Sequence, residues 1–161
     1  MTRTYEEIVN GESVLRSAPD SRHELLCQRL HDGIGTAVVQ LTSTRLLDAR
    51  SVVRVSPGTI LRPDLALITS ATGKLWLAAE IVNAQDHRPD TVTKKSIYEE
   101  SKLPRLWMVD PRYDNVEIYH GSPYGLVLKK ILANQEVLEE PLLPGFRVTI
   151  KQLFAAASPA S

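Results

Sequence analysis

Leu75-Trp76-Leu77-Ala78-Ala79-Glu80-Ile81-Val82 is a continuous apolar run interrupted by a single carboxylate. Its length and composition are those of a strand buried on both faces of a sheet. Alternation along such a strand puts Trp76, Ala78 and Val82 on the face that carries Glu80. An ionised carboxylate in that company is costly unless it is paired or bound to a metal. The bland alternatives are a glutamate at the exposed end of the strand, or one half of a buried ion pair.

Turn signals at Pro57-Gly58 and Thr72-Gly73 bracket a shorter apolar strand, Leu65–Thr69, which begins directly after Asp64. Downstream, the polar stretch Asn83–Pro89 reads as a loop. Thr91–Ser101 reads as a helix limited by Pro104, and Arg105–Val109 as a strand ended by Asp110-Pro111. Val116–His120 and Tyr124–Ile131 form a hairpin through Gly121-Ser122-Pro123. Pro144-Gly145 turns into a last strand, Phe146–Ile150, before a terminal helix, Lys151–Ala156. Upstream, Ser51–Val55 and Thr36–Leu41 are rich in Val and Thr and read as strands. Ser21-x-x-Glu24 has the form of a capping box. It opens a helix, Ser21–Asp32, whose stripe is His23, Leu26, Cys27, Leu30 and Ile34, with Gly33 as its stop. Tyr5–Val9 reads as a short helix closed at Asn10-Gly11, followed by a strand, Glu12–Arg16. The order predicts an α/β or α+β fold with a mixed central sheet and few flanking helices.

At 161 residues with 43% hydrophobic and 24% charged content, the chain fits one ordinary domain with a real core. The expected domain spans 1–156, and 157–161, rich in Ala and Ser, is expected to be a flexible tail. Nineteen basic residues balance nineteen acidic ones. That argues against strong non-specific nucleic-acid binding through bulk charge, although a cleft can still concentrate positive charge. Cys27 is the one cysteine, so neither an internal disulfide nor a thiolate zinc cluster can form. The start carries no signal-peptide pattern and no run reaches membrane-spanning length, so a cytoplasmic location is expected.

The chemistry-bearing candidates are few. Asp64 is either a solvated strand-edge residue or a ligand beside Glu80; the residues alone leave both open. Lys94 projects between Ile97 and Tyr98 on the inward stripe of its helix, as a core-edge lysine or a site lysine. Lys95 projects outward with Glu99 and Lys102. His23 on the apolar stripe reads first as a satisfied core or cap histidine. Asp86 and His87 read as surface-loop residues. Trp76, Trp107, Tyr98 and Phe146 read as core, not as base-stacking platforms. No nucleophile elbow, P-loop or dinucleotide fingerprint is present.

Asn10-Gly11-Glu12, His23 on the first helix, Arg62-Pro63-Asp64 and Ala79-Glu80-Ile81-Val82 occur in order. Asp90-x-x-x-Lys94-x-x-x-Tyr98, Trp107-x-Val109-Asp110-Pro111 and Leu143-Pro144-Gly145 follow. This ordered set resembles the Uma-two family of bacterial endonucleases, itself similar to the PD-(D/E)xK superfamily with its restriction-endonuclease-like fold. The resemblance implies that Asp64 and Glu80 bind a magnesium or manganese ion and that Lys94 is the catalytic lysine, since Val82 stands where the superfamily lysine normally falls. It also implies Glu12 as an accessory acid, with His23 accessory to the site. Nucleic acid is the implied partner, no membrane is, and homodimers are common in the superfamily. Asn83-Ala84-Gln85-Asp86 departs from the Ser-Pro-Ser/Thr segment typical after the glutamate strand.

Three functions compete on this reading. The first is a metal-dependent phosphodiesterase with Asp64 and Glu80 on the cation and Lys94 acting on the attacking water or the developing charge. The second is a catalytically inactive nucleic-acid-binding or assembly protein on the same fold. The third is a carboxylate-pair hydrolase of the glycosidase type, which needs no metal.

Overall fold

The computed structural model describes residues 3–157; of the expected tail 157–161, all but Ala157 lie outside the described residues. The first half runs β1 (Tyr5–Val9), β2 (Glu12–Arg16), α1 (Ser21–Val38), β3 (Thr44–Leu46), β4 (Val53–Ser56), β5 (Thr59–Leu61), β6 (Leu65–Thr69) and β7 (Leu75–Ile81). A π-helical turn, Pro89–Lys94, leads directly into α2 (Lys95–Glu100). There follow β8 (Arg105–Asp110), β9 (Asn115–Ser122), β10 (Gly125–Ala133), β11 (Val137–Glu139), β12 (Arg147–Thr149) and α3 (Ile150–Phe154).

The central sheet has six strands in the order β10-β9-β8-β7-β6-β3. Only β7 and β8 are parallel, and the helical segment 89–100 lies in the connection between them. On one face α1, α3 and the β11–β12 hairpin cover Leu65, Leu77, Ile81, Trp107 and Val109. On the other, α2 and a four-stranded sheet in the order β2-β1-β5-β4 cover Ala78, Val82, Leu106 and Met108. Burial on both faces explains why β7 and β8 are apolar nearly throughout. The architecture is therefore α+β with a mixed central sheet, as expected. Among the described residues no helix is long and apolar enough to cross a membrane.

Several local expectations are corrected. Tyr5–Val9 is a strand, not a helix: Asn10 and Gly11 take φ of 51° and 81°, the backbone of a two-residue hairpin turn that pairs β1 with β2. The first helix runs on to Val38 and absorbs the start of the expected strand Thr36–Leu41. Gly33 does not stop it. A Cβ there would sit 3.0 Å from the Phe146 ring, so this glycine admits a close packing contact inside the helix. Asp20, not Ser21, caps the helix, accepting the His23 N–H at 2.8 Å. Trp76 leaves the Glu80 face because a bulge between Leu75 and Leu77 turns it to the opposite side. There its indole N–H donates to Thr44 Oγ1 at 2.8 Å. The strands β3, β5 and β11, each three residues long, were too short to announce themselves by periodicity.

Candidate active site

β6 and β7 pair antiparallel with Leu65 opposite Ala79, so Asp64 and Glu80 stand next in register. Both are buried, with 2% and 1% of their surface exposed. Glu80 Oε1 accepts from the Lys94 ammonium at 2.8 Å, and its Oε2 accepts from the Tyr98 hydroxyl at 2.6 Å. The wide π-helical turn keeps Asp90 and Lys94 on one inward face, and α2 continues that stripe to Tyr98. Lys95 lies outside the cluster, its ammonium 4.5 Å from the centre of the Tyr119 ring. Glu99, which shares the outward face with Lys95, accepts the Leu126 N–H at 2.8 Å.

Glu7 reaches the same place from β1. Its carboxylate accepts from Lys94 at 2.8 Å, from Arg16 at 2.9 Å and from the Arg62 N–H at 2.6 Å. Arg16 bridges onward to Asp90 at 2.7 Å, and Asp90 accepts the Asn83 N–H at 3.0 Å. One buried network thus ties the hairpin β1–β2 to the glutamate strand, the start of the loop after it and the lysine helix.

Asp64 is held by a second set of donors. Its Oδ1 accepts from His23 Nε2 at 2.9 Å and from Arg50 at 3.1 Å, and its Oδ2 from the Ile81 N–H at 2.8 Å. His31 Nε2 donates to the Asp64 carbonyl at 2.7 Å. Helix α1 therefore presents two histidines, about two turns apart, to the same aspartate.

The electrostatics separate the two carboxylates. Burial would raise both. For Asp64 the hydrogen bond and charge of His23, with Lys94 and the Ile81 N–H, outweigh burial and hold its carboxyl below the usual range. For Glu80 burial wins: Lys94 opposes it, but Asp64, Glu7 and Asp90 add to it, and the carboxyl is pushed up to about 8. Glu7 is held low, because Lys94 and the Arg62 N–H overcome its burial. Burial opposes the charge on Lys94 and on His23, yet the facing carboxylates raise both.

These residues fit a hard divalent cation. Magnesium and manganese take carboxylate oxygens, and two carboxylates stand in register on adjacent strands. Burial first, and then the facing Asp64, Glu7 and Asp90, disfavour the charge on Glu80 more than Lys94 favours it, and a bound cation would offset that. Two donors already occupy Asp64 Oδ1. Asp64 Oδ2 and both Glu80 oxygens carry one donor each, which leaves each a lone pair for a metal. Among the described residues no group of three or more His, Cys, Asp or Glu side chains is arranged to hold a metal. The two carboxylates are the protein side chains on offer.

The structure thus gathers Asp64, Glu80, Lys94 and His23. It does not bring Glu12 to them. Glu12 is exposed beside the hairpin turn, opposite Val9, whereas Glu7 points inward from the preceding strand. Asp86 and His87 lie in an exposed loop, with the His87 ring 3.5 Å from Thr91 Oγ1. Sequence reading missed Glu7, Arg16 and Arg50 altogether, and it assigned Tyr98 to the core without its bond to Glu80. The i, i+4 spacing of Asp90, Lys94 and Tyr98 held the signal for the last of these.

A crystal structure titled as a "putative nuclease belonging to DUF820" from Anabaena variabilis superposes with a TM-score of 0.76 at 13% identity. The match covers 93% of this chain and 89% of that one, and it shows a shared fold. No curated protein matches the sequence. The family model described as "Putative restriction endonuclease" matches residues 3–151, nearly the whole described chain, and the chain belongs to that family, Uma2.

Proposed function

We propose that the protein is a metal-dependent nuclease that hydrolyses phosphodiester bonds of nucleic acid. The observation that carries this reading is the placement of Asp64 and Glu80 in register on adjacent strands with the Lys94 ammonium 2.8 Å from Glu80. Asp64 and Glu80 would hold a magnesium or manganese ion, which supplies Lewis-acid polarisation of the phosphodiester. Lys94 offers a fixed positive charge to the oxygens that gain charge in the transition state. Tyr98 orients Glu80, and Glu7 with Arg16 holds Lys94 in line. His23 and Arg50 fix the rotamer of Asp64 and keep it ionised.

A catalytically inactive nucleic-acid-binding protein is the second reading. It is favoured by one observation: every carboxylate oxygen of the pair already accepts a donor from the protein itself. The test is cleavage of single- and double-stranded DNA and RNA with magnesium or manganese, with and without chelator. Asp64→Asn and Glu80→Gln are assayed in parallel as shape-preserving variants. Chelator-sensitive cleavage lost in both variants supports the nuclease. A wild type inert on all four substrates, or variants that match its rate, leaves the binding protein as the better reading.

A further inference from the structure

A groove of about 540 Å³ opens between β4 of the four-stranded sheet and the β6–β7 turn of the large one. Arg45, Arg54, Lys74 and Lys102 line it, and no carboxylate does. They come from β3, β4, the β6–β7 turn and the segment after α2, so the fold and not a charge run in the sequence brings them together. All four are exposed, and among the described residues none of their side chains makes an ion pair or hydrogen bond. Five other arginines, Arg16, Arg22, Arg50, Arg105 and Arg112, each hold a carboxylate. Four unpartnered cations around one concavity are mutually repulsive in the free protein and focus a positive field into it.

The lining points to the kind of partner. Its floor is aliphatic, with Val55, Leu75 and Leu103 among it, and no aromatic ring lines it to stack a base. Cations without stacking platforms suit a phosphodiester backbone read independently of sequence. The position agrees. Val55, Leu75, Leu103 and Tyr98 belong to one apolar cluster, so the groove lies on the sheet face that carries Tyr98. Leu75 and Glu80 lie on the same strand, roughly 16 Å apart at about 3.3 Å per residue.

We propose that this groove seats the phosphate backbone of the nucleic acid through Arg45, Arg54, Lys74 and Lys102. It is a binding track separate from the carboxylate cluster, and its choice of partner rests on the nucleic-acid reading of that cluster. The test uses the full chain in chelator, so that binding is read without cleavage. Fluorescence anisotropy is followed with labelled duplex and single-stranded oligonucleotides of two unrelated sequences across a salt series. The groove variant carries Arg45→Gln, Arg54→Gln, Lys74→Gln and Lys102→Gln. The control variant carries Arg3→Gln, Lys129→Gln, Lys130→Gln and Lys151→Gln, exposed cations outside the groove. Each phosphate contact adds about 0.9 to the salt slope on duplex and about 0.7 on single strands. The groove variant is expected to lose about 3 to 4 from that slope and at least thirtyfold in affinity at low salt, with the control within threefold of wild type and no sequence preference. Equal losses in both variants would overturn the proposal. So would a wild type that binds neither oligonucleotide, or one that binds heparin or polyglutamate through these residues in place of nucleic acid. Groove-dependent binding in a protein that cleaves nothing would uphold the track while removing the nuclease reading.

Discussion

Replacing Lys94 with methionine removes one ammonium and keeps most of the side-chain volume. In the folded protein that ammonium is 2.8 Å from both Glu80 and Glu7, with the lysine 2% exposed. Removing one partner of a buried ion pair costs about 3–5 kcal/mol, because the remaining charge is left desolvated. For a domain of this size that is a fall in melting temperature of roughly 6–20 °C. The penalty depends on pH, and the sign follows from Glu80. Its carboxyl is already raised to about 8 by burial, by Asp64 and by the other acids, with Lys94 opposing. Without Lys94 it rises further. At pH 6 the folded forms of wild type and variant both carry Glu80 protonated, so the variant loses mainly the Glu7 contact. Above pH 8 wild-type Glu80 ionises against its lysine, while the variant keeps losing stability as pH climbs toward its own higher pKa. The Lys94→Met penalty is therefore smaller at pH 6 than at pH 9. Urea unfolding of wild type, Lys94→Met, Glu80→Gln and the double variant at both pH values measures it, and the double variant should recover about 0.5–3 kcal/mol as coupling at pH 9. A penalty that is absent, or equal at the two pH values, would refute the charge-pair account of Lys94. Any loss of cleavage in a Lys94 variant must be read against this loss of stability.

Tyr98→Phe deletes the hydroxyl 2.6 Å from Glu80 and leaves a buried acceptor short of its donor; the expected cost is about 1–3 kcal/mol, read from the urea midpoint. Glu12→Ala should leave stability and any cleavage unchanged, whereas Glu7→Ala should lower both, since Glu7 is the acid that meets Lys94 and Arg16; melting curves and the cleavage panel separate them. The His23 pKa is raised, with burial opposing and the Asp64 hydrogen bond and charge prevailing. Its stabilisation is full below the ordinary histidine value of about 6.5 and is lost as pH rises through the higher folded value. His23→Gln should flatten that part of the stability-versus-pH curve, and an unchanged slope would show that the pair does not titrate there.

What could be read from the sequence follows the range of the interactions involved. Lys94 was placed inward by helical period alone, and the turn between β6 and β7 is short enough that Asp64 and Glu80 could be set on neighbouring strands from local pattern. Glu7 was out of reach. It arrives through the pairing of Ile8 with Ile60, some fifty residues away, and no local period encodes that bridge. Tyr5–Val9 misled because five residues with two glutamates satisfy a helix as well as a strand. The deciding information was the Asn10-Gly11 pair, whose two positive φ angles serve a hairpin. Trp76 misled for a different reason: strict alternation has no means to announce a bulge. Tyr98 was assigned to the core, and it is in the core, but apolar periodicity says nothing about what a buried hydroxyl meets.

The neutral net charge is the case where composition pointed away from the arrangement. A count of nineteen against nineteen suggests a surface indifferent to polyanions. In the fold Glu7, Asp64, Glu80 and Asp90 are each at most 2% exposed, buried together with Arg16 and Lys94, while Arg45, Arg54, Lys74 and Lys102 remain outside. A carboxylate buried against Lys94 or Arg16 contributes little field at the surface, because its partner cancels it at short range. An unpaired guanidinium on a groove wall contributes nearly all of its own, out to about the Debye length of 8–10 Å. Buried pairs remove cations and acids together, so the neutral total is kept; the groove is positive because four exposed cations and no carboxylate line it. The segregation of exposed charge, with no carboxylate on the groove wall, is what makes a polyanion track compatible with this composition.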